Sequence, residues 1–343
     1  MNSAISVRAN TTGAQPAAIG KRTIMGHNLK GALLALTAFA LYATHDVVIK
    51  FLGESYSSFQ IIFFSGLLGF PIITLMLMSD RTDGNLIPRH PWWSLLRSLT
   101  AVSTGAAGFY AFTVLPLAQT YAILFAMPLL ITLLAIPMLG EKVGIRRGLA
   151  VMVGLVGVLI VLRPGSAPLS WGHLAALAAA LTGSLTSVIV RKIGAEERSA
   201  VLMLYPMVAT FLLTGATMPF VYVPMPLEHL ALTGVIAALG FIAALLSIAA
   251  YRAAPAIIVA PMQYSQIIWA VIYGALLFDE TADFYTLLGT GVIILSGIYI
   301  VMREGTGTVS KNSPVLANKS RPETGLMPRI SLLLRRSERP SGQ

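Results

Sequence analysis

The chain has no cysteine, few charges and few histidines. The missing cysteine excludes disulfides, thiol catalysis and cysteine-ligated metal, and says nothing about compartment. Only 11% of the 343 residues are charged, against roughly 25% in an ordinary soluble domain. So little polar surface cannot cover a water-soluble globule of this length. The five histidines are scattered, and no cluster of His, Asp and Glu has metal-site spacing, so neither a metal nor a cofactor is expected. No GxxxxGKS/T stretch occurs, which excludes a P-loop and an intrinsic ATP drive.

What the chain has is apolar length. Its residues are 56% hydrophobic and its mean hydropathy is +0.77. Apolar runs of about 20 residues match the thickness of a bilayer's hydrocarbon core. Ten such runs are read, over 29–50, 59–79, 94–115, 118–138, 146–163, 171–191, 200–222, 229–250, 256–278 and 284–302. Backbone polar groups in lipid must be satisfied internally, so each run is expected to be a helix. Residues 1–28 are polar and small and are expected to be a disordered cytoplasmic N-terminus. Residues 304–343 form a basic tail rich in Ser and Pro. Its Ile330–Leu334 run beside Arg335 and Arg336 fits a membrane surface or a solvated tail.

The chain is written twice. Pro116 pairs with Pro255 and Glu141 with Glu280, each 139 positions apart. Gly157 pairs with Gly297 and Arg163 with Arg303, 140 apart. Gly31 pairs with Gly172, Val47 with Val188, Lys50 with Arg191 and Gly53 with Gly194, 141 apart. Each half then holds five helices. Five is odd, so the second half enters from the opposite face and the repeat is inverted. Charge tests this separately. With the N-terminus in the cytoplasm, only Lys50 and Arg163 of the 24 Lys and Arg fall outside. That bias predicts both termini inside, in an inner or plasma membrane. It also accounts for the net charge of +10 without a nucleic-acid partner.

This pattern resembles the drug/metabolite transporter superfamily, of the EamA type, over about residues 29–303. The resemblance rests on the two five-helix halves and on the corners Gly140–Glu141–Lys142 and Asp279–Glu280. It rests also on Leu95–Leu96–Arg97–Ser98 at the start of the third helix and on the short Leu115–Pro116–Leu117–Ala118 link. The family pattern implies an all-α polytopic bundle of ten transmembrane helices, with repeats at 29–163 and 171–303. It implies a central cavity that carries small metabolites. In similar bacterial members an Arg often follows the Phe-Phe pair of the second helix; here Ser65 follows Phe63–Phe64.

Two stretches carry candidate chemistry. Ionisable groups within a span are costly and mark functional sites. His45–Asp46 is such a pair. Asp46 can hold a substrate's positive charge or a coupling proton, or it can simply pair with Lys50 four residues on. His45 carries the one side chain whose ordinary titration lies close to neutrality. The ninth helix is the richest in polar groups: Gln263, Tyr264, Ser265, Gln266, Trp269 and Tyr273. Met262, Gln266, Trp269 and Tyr273 recur at four, three and four, which predicts one helical face. Amides beside aromatic rings suit a cavity for a ring-bearing or amphipathic solute, or hydrogen bonds between packed helices. Tyr121 and Phe125 of the matched fourth helix, and Tyr110 of the third, complete the candidate lining. Pro128, Pro137 and Pro261 predict kinks or local unwinding. Glu141 and Glu280 are expected to set corners on opposite faces, and Arg97 to sit at the cytoplasmic mouth, as a snorkelling anchor first and as a group that attracts an anion second.

The expected activity is secondary transport of a small metabolite or drug-like solute by alternating access, with export slightly favoured. The expected partners are that solute and the lipid bilayer, with a homodimer as an alternative to the single chain. The rival classes are an integral membrane enzyme and a non-transporting membrane scaffold.

Overall fold

The computed structural model describes residues 17–78, 86–141, 143–165, 169–194, 196–197 and 199–305. The expectations placed on the first 16 residues, on Arg81, Lys142 and Arg198, and on the basic tail with its Ile330–Leu334 run lie outside them.

The described chain is all helical: α1 (Ala17–Gly53), α2 (Ser58–Met78), α3 (Pro91–Val114), α4 (Leu117–Leu124), α5 (Met127–Leu139), α6 (Ile145–Leu162), α7 (Trp171–Ile193), α8 (Ser199–Val221), α9 (Leu227–Ala253), α10 (Ala256–Val259), α11 (Gln266–Leu277) and α12 (Phe284–Gly305). A 3₁₀ segment, Ala260–Ser265, joins α10 to α11. Taking α4 with α5, and α10 with α11, eight stretches are long and apolar enough to cross a membrane. The apolar part of α2, Ser58–Pro71, is shorter.

Two boundaries differ from the sequence reading. Helix α1 begins at Ala17, inside the stretch expected to be disordered. Extending a helix that is already nucleated costs far less than starting one, so the span's helix runs back into polar sequence. The fourth and ninth runs are each interrupted. The chain turns at Phe125–Ala126, just before Pro128, and tightens to 3₁₀ over Ala260–Ser265 around Pro261. Both prolines lack the N–H that would continue the α pattern. Pro137, by contrast, sits inside α5 without breaking it.

The corners after these broken helices close alike. Gly140 adopts a left-handed conformation (φ 67°), and Glu141 N–H donates to the Ala135 carbonyl at 3.3 Å. At the other corner Asp279 is left-handed (φ 52°), and Glu280 N–H donates to the Gly274 carbonyl at 2.9 Å. This is the long return bond of a Schellman cap, which needs a left-handed residue. Glycine takes that conformation at no steric cost, and Asp is among the few side chains that visit it.

Packing pairs the helices across the chain. Helix α1 lies along α9, α7 along α3 and α12 along α6. Helix α7 also meets α5, and α1 meets the α10–α11 segment. Where α6 crosses α12 the backbones nearly touch. A Cβ on Gly289 would sit 2.6 Å from the Gly157 carbonyl oxygen, and one on Gly157 would sit 2.9 Å from that of Gly289. Ser296 donates to the Ala150 carbonyl at 2.5 Å along the same seam. The opposite face of α6 exposes Leu149, Met152, Val156 and Leu159. Small residues thus bring the helices together while large apolar ones turn outward, as lipid requires.

Gly289→Leu should therefore separate α6 from α12. Overpacking of this kind typically costs about 1–3 kcal/mol. A lowered melting midpoint in detergent checks it, and an unchanged midpoint would count against the close crossing.

Candidate functional site

Three helices contribute to one buried polar centre. On α1, Asp46 has no exposed surface. An unmet carboxylate in such a place costs several kcal/mol. Its Oδ1 lies 2.7 Å from His45 Nδ1. Its Oδ2 accepts a short hydrogen bond from the Tyr121 hydroxyl of α4. Tyr121 is 1% exposed, and its hydroxyl oxygen accepts in turn from Gln266 Nε2 of α11 at 3.3 Å. Gln266 is itself completely buried. It begins α11, directly after the 3₁₀ segment. Tyr121 sits one turn before the break in the matched helix. Side chains beside the two interruptions thus line up in one chain, Gln266 on Tyr121 and Tyr121 on the carboxylate.

Aromatic rings surround this chain of polar groups. Phe112 packs on Tyr121 with centroids 5.2 Å apart, and Phe125 lies 6.0 Å from Tyr121. Phe125 meets Tyr264 edge-on at 5.1 Å. Phe109 meets the His45 ring edge-on at 6.1 Å. Gln263 precedes Tyr264 in the same 3₁₀ segment. Gly297 makes room for Tyr264: a Cβ there would stand 1.9 Å from its hydroxyl oxygen. Trp269 and Tyr273 stack at 6.0 Å and form a second patch. The Tyr273 hydroxyl is 3.0 Å from Thr44 Oγ1, two residues from Asp46.

Among the residues singled out in the sequence, His45, Asp46, Tyr121, Phe125, Tyr264 and Gln266 come together. Gln263 flanks them, and Trp269 and Tyr273 adjoin through Thr44. Tyr110 does not join: it is 39% exposed on α3. Thr44, Phe109 and Phe112 were not singled out. Thr44 adjoins the His45–Asp46 pair, a signal that was available; nothing in the pattern of α3 marks its two phenylalanines.

Three expectations need correction. Lys50 makes its salt bridge with Glu280, Nζ to Oε1 at 2.7 Å, and also donates to the Leu115 carbonyl at 2.7 Å. A pair with Asp46 one turn back is not the salt bridge that forms. Met262 does not continue the face of Gln266, because it lies in the 3₁₀ segment, whose residues advance by a different angle. Arg97 is not an exposed anchor. It is 5% exposed, and its Nε and Nη1 have no hydrogen-bond partner among the described residues.

The corners carry the remaining charge. Glu280 Oε2 accepts from the Leu117 backbone N–H at 3.0 Å. At the other corner Arg191 Nη2 donates to Glu141 Oε1 in a short bond. Arg163 Nη2 lies 2.8 Å from Asp283 Oδ2. Asp283 caps α12, accepting from the Thr286 N–H at 3.0 Å and its hydroxyl at 2.8 Å. Partial burial pushes the Asp283 carboxyl up, but the Thr286 bonds and the Arg163 charge outweigh it and hold the group below its ordinary range. A shallow crevice opens beside the Glu280 corner, lined by residues that include Pro116, Gln119, Gly274, Asp283 and Thr286. No group of three or more His, Asp or Glu suited to a metal occurs among the described residues.

Known proteins resemble this chain in sequence and fold. The EamA-like transporter family matches the chain twice, over residues 29–163 and 170–303. The S-adenosylmethionine uptake transporter of Rickettsia prowazekii is 24% identical over 285 residues, covering 83% of this chain and 96% of that protein. The riboflavin transporter of Vibrio cholerae is 27% identical over 290 residues, covering 82% and 96%. The pseudopaline exporter of Pseudomonas aeruginosa is 24% identical over 280 residues, covering 81% and 97%. A solved crystal structure shares the fold at a TM-score of 0.54 and 17% identity, covering 79% of this chain and 98% of that one. Two tandem family matches on an all-helical membrane fold make this chain a member of the EamA-like transporter family, a family of small-solute transporters and not of enzymes.

Proposed function

We propose that this protein is a secondary transporter that moves a small solute by alternating access between two inverted five-helix halves. Helices α2 and α3 complete ten spans with the eight long apolar stretches. Both termini are cytoplasmic and the protein resides in an inner or plasma membrane. Relatives include both an uptake transporter and an exporter. Export remains the slightly favoured direction; in a gradient-driven carrier the imposed gradient sets it.

The observation that carries this reading is a pair of repeat-matched ion pairs, Lys50–Glu280 and Arg191–Glu141. Lys50 matches Arg191, and Glu280 matches Glu141, in the two copies of the sequence. Exchanging the halves turns one bridge into the other. The same exchange relates the packing of α1 on α9 to that of α7 on α3. It also relates two tight contacts: a Cβ on Gly31 would lie 2.3 Å from Ala254 Cβ, and one on Gly172 would lie 2.8 Å from Leu115 Cγ. Under the inverted topology one bridge lies on each side of the membrane, with the Asp46 centre between them.

The bridges are not equally fastened. Lys50 and Glu280 each hold the α3–α4 link as well, through Leu115 and Leu117. Arg191 Nη1 and Glu141 Oε2 are buried without hydrogen-bond partners among the described residues. This supports a conformation sealed on the outer side, with the matching bonds to the Ala254 region made in the opposite conformation. Interfaces of this kind have two discrete arrangements, which is what alternating access requires.

Purified protein in sealed vesicles, without ATP, should exchange a labelled metabolite from a broad panel by counter-flow. No exchange across the panel, with a new product formed instead, would sink the reading. Asp46→Asn should abolish the pH dependence of exchange while the melting midpoint changes little, because Asn still accepts from Tyr121. Unaltered pH dependence would remove Asp46 from coupling. Because the chain lacks cysteine, a single Gln119→Cys probe reports access beside the Glu280 corner. Lys50→Gln should raise its labelling from outside by several-fold, on the order of the 1 kcal/mol by which such pairs commonly bias an equilibrium. Unchanged labelling would deny that this bridge seals the outer side.

A further inference from the structure

We propose that Gln266 Oε1 is the recognition point for a hydrogen-bond donor on the transported solute, so that the carried molecule presents an N–H to the centre of the bundle. The inference rests on reading the Asp46 centre as the solute site, and it names the chemistry that site selects.

Hydrogen-bond directions follow from Asp46 outward. An ionised carboxylate can only accept. The Tyr121 hydroxyl therefore spends its one proton on Asp46 Oδ2. The Tyr121 oxygen is left with lone pairs alone on the side facing Gln266, so the amide must turn its NH₂ toward it, as Nε2 does. Turning the amide over would set lone pair against lone pair. The carboxylate thus orients Gln266 two bonds away, and Oε1 is obliged to point elsewhere.

Oε1 is buried and has no hydrogen-bond partner among the described residues. Leaving a buried acceptor unmet is costly, so such an atom calls for a reason. The adjacent Ser265 Oγ is likewise buried without a partner. Both lie where the 3₁₀ segment passes into α11. The two unmet polar atoms thus stand on consecutive residues at a helix interruption, next in sequence to Tyr264, which packs on Phe125, and joined to Tyr121 through the Gln266 amide.

Charge decides what fits there. Asp46 is the carboxylate of the centre. The basic groups near this level are already engaged: His45 by Asp46, Lys50 by Glu280 and Leu115, and Arg163 by Asp283. Arg97 is buried but stands on α3 twelve residues before Phe109, roughly 18 Å along the helix. A carboxylate or phosphate entering the centre would face Asp46 and an amide oxygen. An amine, amidine, amide or ring N–H would satisfy Gln266 Oε1, and a cationic one would also be drawn to Asp46 and the ring faces.

The test uses full-length protein in sealed vesicles and a counter-flow panel of primary amines, N–H heterocycles, carboxylates and phosphate esters. Members that exchange should carry an N–H. For the best of them, methylating that nitrogen should lower exchange about tenfold or more. Gln266→Met should erase this discrimination, bringing the parent and methylated compounds within about twofold. Gln266→Glu keeps an acceptor at the same place and should retain the preference for N–H donors, which separates recognition from misfolding. The inference is overturned if the exchanged solutes are carboxylates or phosphates without an N–H, or if Gln266→Met still distinguishes the methylated compound. Absence of exchange by every panel member overturns instead the transport reading on which this one stands.

Discussion

A fully buried carboxylate in a membrane bundle must be met by donors, and much of this structure meets that demand at Asp46. Lipid outside offers nothing, and the desolvation of an unmet charge exceeds the net stability of most single contacts. The chain supplies His45 from the same helix and Tyr121 from α4. Gln266 then braces Tyr121 from α11. Each partner is held by its own packing: Phe109 on His45, and Phe112 and Phe125 on Tyr121. Removing the carboxylate would leave the tyrosine and the amide without a reason for their orientations.

That centre depends on two interrupted helices. A straight fourth or ninth helix would keep every backbone bond and would turn its side chains on one continuous 3.6-residue pitch. The prolines at 128 and 261 forbid this locally, and the chain answers with a turn and a 3₁₀ stretch. Irregular backbone at membrane depth is tolerated only where protein or a hydrated cavity covers it. It therefore lies inside, where it also redirects Tyr121, Tyr264 and Gln266. The close seam of α6 with α12, closed by Gly157 and Gly289, flanks this interrupted interior.

Much of the buried polar centre proposed as the site is legible in the chain. Polar residues are so scarce that Asp46, His45 and the Gln263–Tyr273 stretch stood out against apolar background. Tyr121 was found by its place opposite that stretch in the repeat. What misled was regularity. The spacing of Met262, Gln266, Trp269 and Tyr273 implied one α-helical face, yet Pro261 breaks the pitch ahead of Gln266. Proximity in sequence likewise suggested Lys50 for Asp46, whereas Lys50 reaches a glutamate 230 positions on. Tyr110 had only its aromatic ring to recommend it, and the fold leaves it on the surface.

The sequence by itself determined the membrane class, the doubled layout and the positions of the corners. Hydropathy, prolines, and glycine or aspartate at left-handed turns are local properties that act on a few neighbouring residues at a time. Tertiary structure alone decided which charge met which. Salt bridges and hydrogen bonds extend only about 3 Å, and the helices that bring their atoms within that reach are distant in sequence. Asp46 with Tyr121, Lys50 with Glu280, and Arg191 with Glu141 are therefore products of packing, which no spacing rule along the chain contains.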